Sequence, residues 1–103
     1  MQRPMKEKKY YIYILVNRKY GTLYVGVTNS LIRRVSEHKA KDIKGFTKRH
    51  NVDQLMYYEI YGNAGQALHR EKQLKKWHRS WKIALIEKEN HNWDDLYYLL
   101  IKH

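Results

Sequence analysis

Five side chains in this sequence have the types and spacing needed to cut a phosphodiester bond. Tyr13 lies in a hydrophobic run, Tyr24 follows after a turn, and Arg34 and His38 are one helical turn apart. Glu71 stands in the apolar stripe of a later helical segment. Two phenols, a guanidinium, an imidazole and a carboxylate can together move protons, hold phosphate and bind a metal. This combination indicates metal-assisted phosphodiester hydrolysis.

Glu71 is the most specific single signal, because its neighbours three positions away on either side are Leu68 and Leu74. A carboxylate on the core-facing side of a helix is costly unless it pairs with a cation or binds a metal. Mg²⁺ takes oxygen ligands and often uses only one or two carboxylates, with water and phosphate completing its shell. An ion pair with Lys75, one turn later, would satisfy the same carboxylate. The sequence leaves both interpretations open.

Arg34 and His38 are placed to share one face of a helix with Leu31 and Val35. Arginine can hold a phosphate through two parallel hydrogen bonds and stabilise charge that develops during cleavage. Histidine can move a proton near neutral pH. The alternative for each residue is a solvated position on a basic helix face.

Tyr13 and Tyr24 differ from the other tyrosines because they lie on two strands joined by a short turn. Adjacent antiparallel strands could place both phenols beside one cleft. A phenol there can donate to a phosphate, or act as a base if nearby cations lower its pKa. Gly26, two residues after Tyr24, fits a place where another group approaches the backbone closely.

The elements that must hold these residues follow from hydrophobic periodicity. Strands are predicted over residues 9–16, 22–27 and 54–61, and the first two should form an antiparallel hairpin. Helices are predicted from residue 29 or 30 to about 41, from a cap at Asn63 to about residue 78, and over 81–88, with a last one capped at Asn92. Leu68 and Trp81 are expected to face the core. Residues 42–51 are predicted to be a loop. The order β-β-α-β-α-α-α predicts a small α/β or α+β fold in which helices flank a three-stranded sheet.

Composition limits the class of protein further. The 103 residues favour a single domain over residues 9–101, preceded by a basic tail over residues 1–8. Lys and Arg number 21 against 10 Asp and Glu, a formal charge of +11 that favours nucleic acid as a partner. A basic protein kept in solution by its lysines is the alternative. The absence of cysteine excludes disulfides and thiolate metal sites. We expect a cytoplasmic protein with no membrane partner, because no signal-peptide core or membrane span is visible.

The motifs also resemble a known family, the GIY-YIG nuclease domain, and in particular its small stand-alone bacterial branch. Tyr11-Ile12-Tyr13 stands where that family has Gly-Ile-Tyr, and Tyr24-Val25-Gly26 stands where it has Tyr-Ile-Gly. The departure is Tyr11, which replaces the first glycine. The pattern Gly-x-Thr-x-x-Leu-x-x-Arg-x-x-x-His follows over residues 26–38, and residues 67–71 resemble the helix that carries the family's glutamate. Asn90, near Trp93, resembles a late Asn segment of the small branch.

The resemblance implies a three-stranded antiparallel sheet and a single-metal endonuclease acting on DNA, in repair or recombination. Tyr13 or Tyr24 would activate water, Arg34 would hold the phosphate, and His38 would assist proton transfer or orientation. Glu71 would bind Mg²⁺ or Mn²⁺, which stabilises the leaving 3′-oxygen. Gly26 and Asn90 would be structural or accessory residues of the site.

Affinity for DNA would then come from the basic surface or from a partner, because better-understood family members use a separate DNA-binding module. The candidate nucleic-acid contacts are Lys39, Lys41, Lys44, Lys48, Arg49, Lys72, Lys75 and Lys76, each of which is otherwise a solvated basic side chain. Two alternatives to an endonuclease stay open. One is a nucleic-acid binding module with vestigial or partner-activated cleavage, and the other is an adaptor that contacts a repair protein.

Overall fold

A three-stranded antiparallel sheet forms the centre of the protein, and the computed structural model describes residues 8–102. The strands are β1 (Tyr10–Val16), β2 (Leu23–Thr28) and β3 (Gln54–Tyr61), in the order β2-β1-β3. This confirms the predicted sheet and its β1–β2 hairpin. Of the predicted basic tail, residues 1–7 lie outside the described residues.

The central position of β1 explains its unbroken hydrophobic run, because both of its faces are covered. Ile12, Ile14 and Val16 point into one core, which α3 (Ala64–Lys76) and α4 (Arg79–Glu89) complete. Tyr13 and Leu15 point into a second core on the other face. There α1 (Leu31–Lys39) and α5 (Leu96–Leu100) cover the sheet.

One short helix corrects the predicted element order. The segment predicted to be a loop contains α2 (Phe46–Arg49), so the order is β-β-α-α-β-α-α-α. Gly45 precedes this helix with φ at 115°, a left-handed conformation that favours glycine. A single helical turn is too short to show hydrophobic periodicity, and the prediction missed it for that reason.

Several predicted boundaries and helix faces also need correction. The first helix ends at Lys39 rather than near residue 41, and the last is capped by Asp95 rather than by Asn92. In the third and fourth helices, Leu68 and Trp81 were predicted to face inward and are exposed. The cap predicted at Asn63 is confirmed, since its side chain accepts a hydrogen bond from the Gln66 amide at 3.1 Å.

Asp95 ties α5 to the sheet and to α1. Its carboxylate accepts a hydrogen bond from the Leu55 amide at 3.0 Å, beside the irregularity where β1 and β3 shift register. The same carboxylate caps α5 by accepting from the Tyr97 amide at 3.1 Å. Its other oxygen lies 2.5 Å from Lys39 Nζ.

Across residues 8–102, no helix combines the length and apolar character needed to cross a bilayer.

Candidate active site

The site is built around the buried phenol of Tyr13. This residue pairs with Gly26 across the β1–β2 ladder, and only 1% of its surface is exposed. Its hydroxyl lies 3.1 Å from His38 Nε2. Burial raises the pKa of Tyr13, and the neighbouring Tyr24 raises it further. The phenol is therefore protonated at neutral pH and has a hydrogen-bond partner for its proton.

His38 continues this chain of hydrogen bonds into α2. The ring is 3% exposed, and its Nδ1 lies 2.9 Å from Thr47 Oγ1. Burial, with repulsion from Arg34 as a second cause, lowers the pKa of His38 to about 4. The ring is thus neutral at pH 7 and carries one proton. If Nδ1–H donates to Thr47, then Nε2 is free to accept from the Tyr13 hydroxyl.

Sequence reasoning missed Thr47. It lies in the segment that was predicted to be a loop, and no motif distinguishes it from other threonines. Only the packing of α2 against the end of α1 brings its hydroxyl to His38.

Tyr24 completes an aromatic group with Tyr13 and His38. Its ring centroid lies 6.3 Å from that of Tyr13 and 5.7 Å from that of His38. Tyr24 is less buried than Tyr13. The structure therefore brings together the two phenols that the hairpin was expected to place side by side.

Gly26 leaves the space in which the Tyr13 ring lies. A Cβ atom at this position would be 2.4 Å from Tyr13 Cζ and 2.5 Å from its hydroxyl oxygen. Such distances are far inside van der Waals contact. The close approach expected at Gly26 is that of the Tyr13 phenol.

Arg34 contributes positive charge beside the phenol and the imidazole. Its charge lowers the pKa of both Tyr13 and His38, although burial has the larger effect on each. Arg34 Nε lies 3.3 Å from Glu37 Oε1, but this buried N–H makes no hydrogen bond of suitable geometry within the described part of the chain. The Arg34 side chain as a whole is 37% exposed, so its guanidinium remains accessible to a phosphate oxygen.

Glu71 comes from α3, which packs against β1 and β2. Its side chain is 15% exposed, and its carboxylate lies 3.3 Å from Lys75 Nζ. The carboxylate also acts on the Tyr13 phenol, whose pKa it raises slightly after the larger effects of burial and Tyr24. The ion pair that the sequence left open is therefore present.

A divalent cation remains compatible with this donor set. Within residues 8–102 no group of three or more His, Asp or Glu side chains could hold a metal by itself. A single carboxylate suits Mg²⁺ or Mn²⁺ only if water and a substrate phosphate supply the other ligands. Glu71 could hold a cation in this way when its carboxylate is released from Lys75.

Asn90 lies outside this group, and its hydrogen bonds join parts of the scaffold. The residue is buried at the end of α4, where its amide donates to the Met56 and Asp94 carbonyls at 3.1 and 2.8 Å. Its own oxygen accepts from the Asp94 amide at 3.0 Å. These main-chain partners belong to β3 and to the segment after α4, so the hydrogen bonds of Asn90 connect two parts of the scaffold.

The eight candidate nucleic-acid contacts fall into two groups. Lys39 and Lys41 are engaged within the fold, through ion pairs with Asp95 and with Asp53 at 2.7 Å. Lys39 also lies 4.9 Å from the centre of the Tyr98 ring. The remaining candidates are exposed: Lys44, Lys48, Arg49, Lys72, Lys75 and Lys76.

A surface concavity beside β3 and α3 lies apart from the Tyr13 group. It is lined in part by Glu59, Tyr61 and Arg70. Glu59 accepts hydrogen bonds from both Tyr57 and Tyr61, and Arg70 binds it at 3.0 Å. Because these charges satisfy one another, the cluster explains how β3 and α3 are joined and indicates no ligand.

Comparison with known proteins places this geometry in a family. Residues 9–84 match the family model described as the GIY-YIG catalytic domain. The chain belongs to the GIY-YIG family. The matched segment of this nuclease family contains Tyr13, Tyr24, Arg34, His38 and Glu71, and it ends before Asn90.

Relatives of the GIY-YIG chain include two staphylococcal proteins. A UPF0213 protein of Staphylococcus haemolyticus is 33% identical over 79 residues, which are 77% of this chain and 95% of that protein. Another from Staphylococcus saprophyticus is 36% identical over 78 residues, covering 76% and 94%. The solution NMR structure of a UPF0213 protein from Bacillus halodurans has a TM-score of 0.53 at 23% identity, covering 84% and 92% of the chains. The likeness to that structure shows a common fold.

Proposed function

We propose that this protein is a metal-dependent endonuclease that hydrolyses phosphodiester bonds in DNA, in repair or recombination. The observation that carries the proposal is the hydrogen-bond chain from Tyr13 through His38 to Thr47. It joins a phenol to a neutral imidazole beside Arg34 and within the electrostatic reach of Glu71. Family membership supports the reaction class, since residues 9–84 match a catalytic domain.

In the proposed reaction, Tyr13 is the group that takes a proton from water. As the water oxygen attacks phosphorus, its proton moves to the Tyr13 oxygen while the Tyr13 proton moves to His38 Nε2, which is free of a proton in one tautomer of the neutral ring. The two transfers are concerted, because burial disfavours a separate tyrosinate and imidazolium. Thr47 holds the ring in the required orientation through Nδ1.

The other two charged residues act on the phosphate. The partly exposed guanidinium of Arg34 binds a non-bridging oxygen and stabilises the charge that grows during attack. Glu71 would hold the divalent cation, which when bound would supply Lewis-acid stabilisation of the leaving 3′-oxygen. Lys75, released from Glu71, is then free to contact the DNA backbone.

The test is cleavage of plasmid, single-stranded and branched DNA with Mg²⁺ or Mn²⁺, comparing wild type with Glu71→Gln. We expect the variant to be slower by about a hundredfold or more, because a Lewis acid contributes several kcal/mol to such a reaction. Glu89→Gln is the matched control, since Glu89 is an exposed carboxylate on α4. Lack of cleavage by the wild type across all substrates and both metals would overturn the proposal. Full activity of Glu71→Gln would show that cleavage does not depend on the Glu71 carboxylate.

A DNA-binding module without independent cleavage is the second candidate function. The ion pair between Glu71 and Lys75 favours it, because that pair occupies the carboxylate that a metal needs. The formal charge of +11 supports binding in either case. This candidate would be favoured if the protein binds DNA in a salt-dependent way but cleaves it only when a partner, such as a repair protein, is added.

A further inference from the structure

The corner where α3 meets α4 presents an exposed tryptophan. Trp81 is 53% exposed, although it was expected to face the core. Its ring lies 5.9 Å from that of Trp77 and 4.7 Å from that of His78, with interplanar angles of 84° and 89°. Both neighbours therefore meet Trp81 edge to face, and neither stacks parallel to it. The ring is supported by its neighbours and still accessible.

This tryptophan lies in a segment with only positive charge. Residues 72–86 contain no Asp or Glu, but they contain Lys72, Lys75, Lys76, Arg79 and Lys82. Among the described residues, only Lys75 of these five makes an ion pair. Burial lowers the pKa of Lys82, and repulsion from Arg79 lowers it further. Four of the five cations in the basic corner, as we call residues 72–82, therefore have no ion-pair partner among the described residues.

The basic corner extends to the β1–β2 turn. Arg79 Nη2 donates a hydrogen bond to the Tyr20 carbonyl at 2.6 Å. This contact brings α4 beside the exposed side chains of Arg18 and Lys19. The contact joins the basic residues of α4 to those of the β1–β2 turn, where the Tyr20 hydroxyl also donates to the Glu87 carboxylate at 2.8 Å.

The basic corner lies close to Glu71. Because an α-helix rises about 1.5 Å per residue, Lys76 is roughly 8 Å from Glu71 along the axis of α3. Successive nucleotides of one strand in a duplex are about 3.4 Å apart along its axis. A strand held at Glu71 would therefore reach the corner within about two or three nucleotides.

We propose that the basic corner binds unpaired bases of the DNA, with Trp81 as the surface on which a base stacks. This inference rests on the proposed function and deepens it, because it names the substrate class as DNA with a single-stranded portion. An indole can stack on any of the four bases, but only when the base is not enclosed in a duplex. The lysines contact the backbone phosphates of the same strand. Duplex DNA, whose bases are enclosed, gains only the phosphate contacts.

The test is DNA binding in EDTA, where cleavage cannot occur. The probes are a labelled oligodeoxythymidylate, an abasic oligonucleotide of equal length, and a duplex. We expect the wild type to bind the oligodeoxythymidylate more tightly than the abasic strand. Trp81→Ala should weaken binding to the oligodeoxythymidylate by about 5-fold to 100-fold and leave abasic binding nearly unchanged. Trp81→Phe, which keeps an aromatic face, should recover part of the loss.

Two further variants separate stacking from charge. Tyr98→Ala is the matched control, because Tyr98 is 57% exposed on α5 and lies outside the corner, so affinity should not change. Lys76→Gln should weaken the binding of all three probes similarly. It should also reduce the slope of the logarithm of the binding constant against the logarithm of salt concentration by about 1. Equal binding by Trp81→Ala and wild type, or an equal loss on the abasic strand, would overturn the inference.

Failure of this inference is distinguishable from failure of the proposed function. If Trp81→Ala binds like wild type while wild-type cleavage depends on Mg²⁺, the nuclease proposal stands and the stacking surface does not. If base-dependent binding is lost in Trp81→Ala but the wild type cleaves nothing, the stacking surface stands in a protein that only binds DNA.

Discussion

The Tyr13 hydroxyl and His38 Nε2 lie 3.1 Å apart in the protein interior, joined by a hydrogen bond between residues 25 positions apart. One partner comes from the central strand and the other from the last turn of α1. Because burial keeps the imidazole neutral, the pair can pass a proton without placing a permanent charge in the core. The same burial has consequences that stability measurements can detect.

The first prediction concerns acid stability. The pKa of His38 is about 4 in the folded protein, against an ordinary value of 6.5. As pH falls from 6.5 towards 4, the unfolded chain binds a proton that the folded protein does not, so the free energy of unfolding falls. We expect His38 to account for a loss of about 2 to 3 kcal/mol between pH 7 and pH 4.5. Urea unfolding at the two pH values measures it.

His38→Gln is the reference for that experiment, because an amide can hydrogen-bond but does not titrate. The variant should lose less stability on acidification than the wild type, by the same 2 to 3 kcal/mol. Other acidic groups contribute equally to both proteins and cancel in the comparison. Parallel pH profiles for the two proteins would contradict the neutral, buried state of His38.

The second prediction concerns Thr47. Thr47→Val removes the hydroxyl that meets His38 Nδ1 and leaves a buried ring nitrogen without a partner, which costs about 1 to 3 kcal/mol. Cleavage should fall as well, because the ring loses its fixed orientation. Thr47→Ser keeps the hydroxyl and should retain most of both properties. The ring ¹⁵N chemical shifts of His38 should change in the valine variant only, and unchanged shifts would argue against the contact.

The third prediction tests the space beside Gly26. In Gly26→Ala the new methyl group would lie 2.4 Å from Tyr13 Cζ, so the phenol must move away from His38. We expect a loss of stability of about 1 to 3 kcal/mol, as for an overpacked core, together with loss of cleavage. Gly62→Ala is the control, since nothing lies within 4 Å of its added Cβ. Retained cleavage in Gly26→Ala would show that Tyr13 need not stay in this position.

The fourth prediction separates structure from catalysis at Asn90. Asn90→Asp would place a carboxylate oxygen against the Met56 and Asp94 carbonyls, which now accept hydrogen bonds from the amide. It should therefore destabilise the protein more than Asn90→Ala, which we expect to cost about 1 to 3 kcal/mol. At a temperature where Asn90→Ala stays folded by circular dichroism, cleavage should be near that of wild type. A folded but inactive Asn90→Ala would instead place Asn90 in the catalytic group.

Much of the local structure could be predicted from sequence because it depends on short-range periodicity. The alternation of inward-facing and outward-facing residues identifies β3 as an outer strand. The continuous apolar run identifies β1 as the central strand. The i, i+4 spacing of Arg34 and His38 places them on one helix face, where α1 indeed carries them. In α4 this reasoning was wrong, because apolar residues occur on most of its sides and Trp81 could not be told from Ile86.

By itself, the sequence determined the sheet, the helices that flank it and the set of residues able to do chemistry, since composition and spacing are local properties. Only the tertiary structure decided their partners. It joined His38 to both Tyr13 and Thr47, and it paired Lys39 with Asp95 far along the chain. Such contacts depend on how whole elements pack, and no local pattern encodes which distant side chain will fill the space beside a given group.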